Sequence, residues 1–443
     1  MEPEKLKDVG EAVRRVRKSK GLRLEDLSDE NISSATISNI ERGITHVKLS
    51  KVYYLVEKLG ISTEEIPSLL NDQRDELDEI KFRLSSIETF IEMNGDPSIA
   101  IKQLEEIQLE DNDVNFALLQ FIKGKAYRYI KNWKQAERCY TLAISLCNHH
   151  HDFENIEAIS YLDLGMCYYH QNKIEEALIF TNNGLDAFKE VKERKYVKFS
   201  LIRNKAVFLE RLDRIVEGLK VIQDIWDSME QIDQTDNVLT LYSIRSYLLQ
   251  KAGMVDEAIH YANEGLTLAR INKHYTSIFR FLIVLGFSYT AKSEWKRAEA
   301  CFNNSLTYQQ ILMSEINLRT DTYIGLGKLH LQQGKKEDAK EWFEKAIANS
   351  VEHDDDSNLM YALRVMGDYW KRSDNKLKAI SYYERALEIA RKINDRQAEQ
   401  KLNFRLSQCY EKIDQMKFEK YLLSIYKTQM ELGKEEDGIL DGM

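Results

Sequence analysis

Leu164-Gly165-Met166-Cys167-Tyr168, then the turn signal Gln171-Asn172-Lys173, then Ala177 and Gly184, is the stretch that decides the fold. With Gly165 as anchor, a large residue stands three positions on and small residues twelve and nineteen on. The spacing recurs around Gly124 (Tyr127, Ala136, Tyr140, Ala143), Gly286 (Tyr289, Ala298, Phe302, Ser305), Gly327 (Ala339, Phe343, Ala346) and Gly367 (Trp370, Ala379, Tyr383, Ala386). Weaker copies centre on Ala206, Ser246 and Ser407. From 124 to 407 the anchors step by 41, 41, 40, 40, 41, 40 and 40 residues. Eight copies at so steady a period mark a repeat architecture.

These are helix offsets on either side of a turn. The small residues let two antiparallel helices approach, and the large aromatic fills the gap to the next hairpin. Such a hairpin cannot bury its apolar face alone, so stacking neighbours builds a continuous core with a concave inner wall. Turn signals at Lys131-Asn132, Gln333-Gly334-Lys335 and Ser373-Asp374-Asn375 fall between the paired helices. The pattern resembles the tetratricopeptide repeat, stretched from about 34 residues to about 40 and lacking that family's terminal proline. The resemblance implies a right-handed superhelical solenoid.

Only three prolines occur in 443 residues, and no run alternates as a strand would, so the chain reads as all-α. No apolar run approaches the ~18 residues of a membrane span, and the N-terminus lacks a signal-peptide core. Cys139, Cys147, Cys167, Cys301 and Cys409 lack metal spacing and read as reduced thiols of a cytoplasmic protein. His149-His150-His151 reads as a solvated turn, because no acidic or thiol partner shares a helical face with it. No cofactor motif, phosphate loop or nucleophile elbow is present, so the chain is not read as an enzyme.

Charge separates the chain in two. Residues 1–70 hold 12 basic and 12 acidic side chains, whereas the remainder holds 51 and 60. Nucleic-acid binding therefore needs a local patch, and the first seventy residues offer one. Val9, Ala12, Val13 and Val16 make an apolar stripe over Asp8 to Ser19, and Gly21 ends that helix. Leu24 and Leu27 open a second helix. Ser33 caps a third, Ser34 to Arg42, which Gly43 closes. Leu49, Val52, Leu55 and Val56 mark a fourth, and Thr63 caps a fifth with Glu64 and Glu65 in its first turn. A tight turn between the second and third is the layout of a helix-turn-helix.

The string Ala35-Thr36-Ile37-Ser38-Asn39-Ile40-Glu41-Arg42-Gly43 resembles the recognition helix of repressor-type (XRE/Cro) domains. Val13-Arg14-Arg15-Val16-Arg17-Lys18 upstream and Leu55-Val56-Glu57-Lys58-Leu59-Gly60 downstream agree with it. The resemblance implies that Ile37 and Ile40 anchor the helix in the core. It implies that Ser34, Ala35, Ser38 and Asn39 face the major groove, with Ser33 and Thr36 also in the DNA-binding set. Arg42, Arg14, Arg15, Arg17, Lys18 and Arg23 are the phosphate candidates. Two departures stand out: Arg23-Leu24 replaces the usual Thr-Gln, and Val47-Lys48 the usual Pro-Ser. A protein interface is the alternative use of this surface.

The expected domains are thus 1–70, a five-helix repressor-type helix-turn-helix domain; 71–113, an amphipathic connecting helix and degenerate first repeat; 114–432, about eight repeats; and 433–443, an acidic, frayed tail. In such repeats the first helix lines the inner wall. Its exposed positions lie six, three and two before the anchor and one, four and five after it. They hold Lys125, Arg128, Tyr129, Asp163, Met166, Tyr169, His170, Arg203, Asn204, Glu210 and Arg211, then Tyr247, Gln250, Arg280, Phe287, Asp321, Lys328, Arg364, Asp368 and Lys371. Amides and guanidiniums hold a peptide's backbone and carboxylate, and aromatics take its apolar side chains. The peptide-binding set expected is Lys125, Arg128, Tyr169, Arg203, Asn204, Tyr247, Gln250, Arg280, Phe287, Lys328 and Arg364.

As a whole the chain resembles the peptide-pheromone regulators of Gram-positive bacteria, the Rap, NprR and PlcR group. The resemblance implies a cytoplasmic, homodimeric transcription factor, with a duplex DNA operator and a short signalling peptide as partners and no membrane. The alternative is a repeat scaffold that sequesters a protein such as a response regulator.

Overall fold

The computed structural model describes residues 3–44, 46–62, 66–109, 113–147, 154–190, 192–229, 235–311 and 316–440. The described residues contain twenty-one α-helices and no strand. They form two compact units, Met1–Asn132 and Trp133–Met443. Thr63, Glu64 and Glu65, expected to start a helix, and the His149–His151 tract lie outside the described residues.

The first unit opens with α1 (Pro3–Ser19), a 3-10 turn (Glu25–Leu27), α2 (Ser34–Glu41) and α3 (Leu49–Lys58). Val9, Val13, Leu27, Ile32, Ile37, Ile40, Val52 and Leu55 share one core. A Cβ on Gly10 would lie 2.2 Å from the Ile40 carbonyl oxygen, so α1 crosses the end of α2 backbone to backbone. The second helix expected from Leu24 is a single 3-10 turn. Local polar side chains take the donors that a longer helix would need. Asp29 Oδ1 accepts from the N–H groups of Asn31 (2.8 Å) and Ile32 (3.0 Å), which folds the chain back at once. Tyr54 and Lys58 also bond this carboxylate and hold its pKa well below the usual range, Lys58 most strongly.

α4 (Ile66–Glu92) runs unbroken where the sequence suggests a fifth module helix and then a connecting helix. No glycine or proline separates Pro67 from Gly95, so nothing interrupts propagation. α5 (Pro97–Glu105), capped by Asp96, and α6 (Phe116–Tyr129) complete the unit.

The second unit is α7 (Trp133–Cys147) and seven hairpins. These are α8 (Ile156–His170) with α9 (Ile174–Ala187), α10 (Tyr196–Arg211) with α11 (Ile215–Trp226), and α12 (Thr235–Lys251) with α13 (Val255–Ile271). Next come α14 (Tyr275–Ala291) with α15 (Trp295–Ile311), α16 (Ile316–Gln332) with α17 (Lys336–Glu352), and α18 (Asp356–Arg372) with α19 (Lys376–Lys392). The last is α20 (Arg396–Tyr410) with α21 (Gln415–Leu440), and α21 continues through the tail marked off at Gly433. Each anchor sits buried on a first helix. The Phe302 ring wedges between Gly286 of its own hairpin and Gly325 of the next, where an added Cβ would approach it to 2.5 and 2.3 Å. Phe343 and Tyr383 press on Gly327 and Gly367 in the same way. Six of the seven hairpin turns place a left-handed residue seven after the anchor: Asn172, Asp213, Gly253, Ser293, Gly334 and Asp374. Gly and Asn reach that conformation cheaply.

The array also winds back on itself. Lys401 Nζ lies 3.0 Å from Asp213 Oδ2, and Asn172 donates to the Ile393 carbonyl. The turns after α8 and α10 thus meet the turn between α19 and α20, around a polar cleft of about 410 Å³. Cys139, Cys167 and Cys409 are buried thiols, and Cys147 and Cys301 are half-buried. No helix among the described residues is long and apolar enough to cross a membrane.

Candidate functional site

In the first unit, the helix-turn-helix presents α2. Ser33 Oγ accepts from the Thr36 N–H at 3.2 Å, and the two hydroxyls lie 2.9 Å apart. At the other end Gly43, φ 68°, donates to Ile40 O and Ile44 to Asn39 O, a Schellman closure. Ile37 and Ile40 point into the core. The opposite side carries exposed Ala35 and Arg42 and half-buried Ser34, Ser38 and Asn39. Arg42 donates to Asn39 Oδ1 at 2.8 Å and to the Ser38 carbonyl at 3.3 Å. Asn39 therefore offers its amide N–H groups outward.

The basic candidates divide. Arg15, Lys18 and Arg23 are exposed and Arg14 is half-buried. Arg17 is engaged inside the module: Nε and Nη2 donate to the two Glu41 oxygens at 2.6 and 3.0 Å, and Nη1 to the Leu22 carbonyl at 2.7 Å. That bidentate pair ties α1 to the end of α2. Lys48 at the start of α3 is exposed, and no side chain caps that helix end. The sequence reading passed over Lys48, although a lysine where the family has Pro-Ser was the available signal.

Of the eleven residues of the expected peptide-binding set, Lys125 and Arg128 lie in the first unit. Lys125 is buried, with Nζ 3.0 Å from Glu88 Oε1 and also bonded to Glu92, and Arg128 lies over the Tyr129 ring. The other nine lie in the second unit, and most of them are drawn together. Arg203 Nε donates to Asn204 Oδ1 at 3.1 Å. Asn204 is only 4% exposed, and its Nδ2 has no hydrogen-bond partner among the described residues. The Arg203 pKa is lowered, first by burial and then by Arg280, while Asp163 opposes. Two guanidiniums from α10 and α14 thus face one region beside an unsatisfied amide. Tyr169 stacks on Phe208 at 5.1 Å, with Arg211 over its ring.

A second group forms around Tyr361. Lys328 Nζ lies 3.1 Å from its hydroxyl and 5.3 Å from the Phe287 ring centre, and Arg364 packs over the Tyr361 ring. Tyr247 donates to Glu210 at 3.2 Å. Burial first, then Glu210, Tyr361 and Asp321, raise its pKa far above the usual phenol range. Burial pushes Asp321 up to about 6, against the opposing pull of Lys328 and Lys251. Helices α10, α12, α16 and α18 therefore converge on one charged, aromatic interior. Gln250 is half-buried on α12, and no hydrogen bond joins it to this group among the described residues. Tyr361 was missed by the sequence reading, although it stands six before its anchor, as Arg280 and Asp321 do.

The Helix-turn-helix family model matches residues 13–66, and the Tetratricopeptide repeat model matches residues 320–350. The fold is similar to that of a Rap protein crystallised with competence and sporulation factor, with TM-score 0.55 and 12% identity over 81% of this chain and 99% of that one. It is similar to the apo form of RapI, with TM-score 0.52 and 12% identity over 82% and 98%. It is also similar to aspartyl phosphate phosphatase F from Bacillus subtilis, with TM-score 0.50 and 14% identity over 87% and 93%. At these identities the likeness is one of fold. No curated protein matches the chain.

Proposed function

We propose that this chain, a helix-turn-helix module joined to tetratricopeptide-like repeats, is a DNA-binding regulator whose repeat array takes a short peptide. The observation that carries the reading is Asn204. A buried amide donor without a partner costs desolvation energy that a ligand acceptor returns on binding. Arg203 and Arg280 beside it favour an acceptor that is a carboxylate, either a peptide C-terminus or an acidic side chain. Phe287, Tyr247 and Tyr361 supply apolar faces for its other residues. One structural relative carries competence and sporulation factor; for this chain a peptidic signal is our inference.

On the DNA side, Ala35, Ser38 and Asn39 read base edges in the major groove. Arg14, Arg15, Lys18, Arg23, Arg42 and Lys48 approach phosphates. Arg17 is left out of that set because Glu41 holds it. Peptide and operator are coupled by linkage, with an expected effect of about 5- to 150-fold on DNA affinity.

The test is selection of genomic fragments by the full chain, with and without a peptide fraction from culture. A two-fold operator whose affinity changes with that fraction supports the reading. If Asn204→Leu leaves the peptide response intact, the peptide site is not here. If no fragment is selected at low salt, the module does not bind DNA.

A further inference from the structure

Arg42 ends α2 and reaches back over it. Its backbone takes the C-cap position, and its side chain lies one turn from Asn39, on the side away from the core. Nη2 donates to Asn39 Oδ1 at 2.8 Å and Nε to the Ser38 carbonyl at 3.3 Å, so two bonds fix the guanidinium against the helix. A guanidinium has donors and no acceptor. The atom of Asn39 that meets it is therefore the oxygen, and the amide nitrogen is turned the other way. Ser34, Ala35 and Ser38 make up the rest of this face, and Gly43 adds no side chain beyond it. Asn39 and Arg42 are thus its two longest side chains, and they act as one unit.

An asparagine that pairs with adenine uses both ends of its amide: Oδ1 accepts from N6 while Nδ2 donates to N7. Here the Arg42 cation stands at the accepting end, where the adenine amino group would have to come, and donor would face donor. Guanine presents two acceptors on that edge, O6 and N7, and no donor. Thymine presents one acceptor beside a methyl group. We propose that Asn39 reads a guanine, as a donor only, and that Arg42 sets this choice as a positioning residue. The cation adds to the preference, because it polarises the amide and strengthens its N–H groups as donors. The proposal rests on the DNA-binding reading of the module and is independent of what the inner wall binds.

Selection from randomised duplexes by the full chain at low salt tests it, with the wild type, Asn39→Ala and Arg42→Met run side by side. Asn39→Ala marks the base pair that Asn39 reads, as the position whose preference it abolishes. In the wild type that pair should be G·C, bound about tenfold or more tighter than the A·T version in anisotropy titrations of the two duplexes. Arg42→Met removes the cation and frees Oδ1, so the ratio should fall to about one or below, towards A·T. Affinity for unrelated duplex DNA, which phosphate contacts carry, shows that each variant is folded. Arg42 is exposed, and alanine suits the helical position of Asn39. An A·T pair at the marked position overturns the proposal, as does the absence of any marked position. A G·C preference that Arg42→Met leaves unchanged overturns it too, and makes Arg42 a phosphate contact only. Failure to select any duplex removes the DNA-binding reading itself, and this proposal with it.

Discussion

Replacing Arg17 decides whether its guanidinium is structural or a phosphate contact. Its side chain is 11% exposed and that of Glu41 6%, and three hydrogen bonds of 2.6 to 3.0 Å hold the group. Breaking such a pair leaves one buried charge uncompensated, at a cost of about 3–5 kcal/mol. Arg17→Lys is the informative change, because lysine keeps the charge but cannot reproduce the bidentate fork. If the role is structural, Arg17→Lys lowers the opening free energy of α2 amides in native-state hydrogen exchange by about 2–4 kcal/mol. The salt slope of DNA binding then stays where it was. Arg17→Met/Glu41→Met recovers much of the loss, since removing both charges removes the uncompensated one. All five tryptophans lie at 133 or beyond, so their fluorescence reports the repeat unit and should not change. The opposite pattern refutes the reasoning: Arg17→Lys silent in exchange, and Arg17→Met flattening the salt slope by about one unit.

Three further outcomes are expected. Gly327→Ala would put a Cβ 2.3 Å from the Phe343 ring and should destabilise the array by about 1–3 kcal/mol. Phe343→Leu in the same chain should return part of that in urea melts followed by tryptophan. Asn204→Leu removes an unsatisfied buried donor but also the acceptor of Arg203 Nε, so the melting temperature should stay near its original value or fall, while peptide affinity drops by about tenfold or more in calorimetry. Asp321, at about 6, is raised above its unfolded value, so the folded state binds the extra proton between about 4 and 6 and stability falls as pH rises through that window. Asp321→Asn should therefore stabilise at pH 7.5 and have little effect near pH 4 (thermal melts at both). A benefit larger at pH 4 than at pH 7.5 would show that Asp321 is not raised.

The sequence by itself carried the repeat period, the anchors, the turn residues seven beyond them, and the cap and closure of α2 at Ser33 and Gly43. Those signals are local, because helix geometry and turn chemistry act over a few residues. It also carried which first-helix positions share a face, since three or four residues make one turn. What it could not carry was who meets whom across the array. Arg17 and Glu41 are 24 residues apart, and a sequence shows two charges there, not a bidentate pair. Tyr247 of α12 feels Tyr361 of α18, Arg203 of α10 feels Arg280 of α14, and Asn172 reaches Ile393. These meetings depend on small rotations between successive hairpins, summed over several of them. Each rotation is set by how a ring such as Phe302 beds between two glycines, a packing detail of tertiary structure. Asn204 is the sharpest case: its position two before an anchor was legible, but its burial and its unpartnered Nδ2 are properties of everything that packs around it.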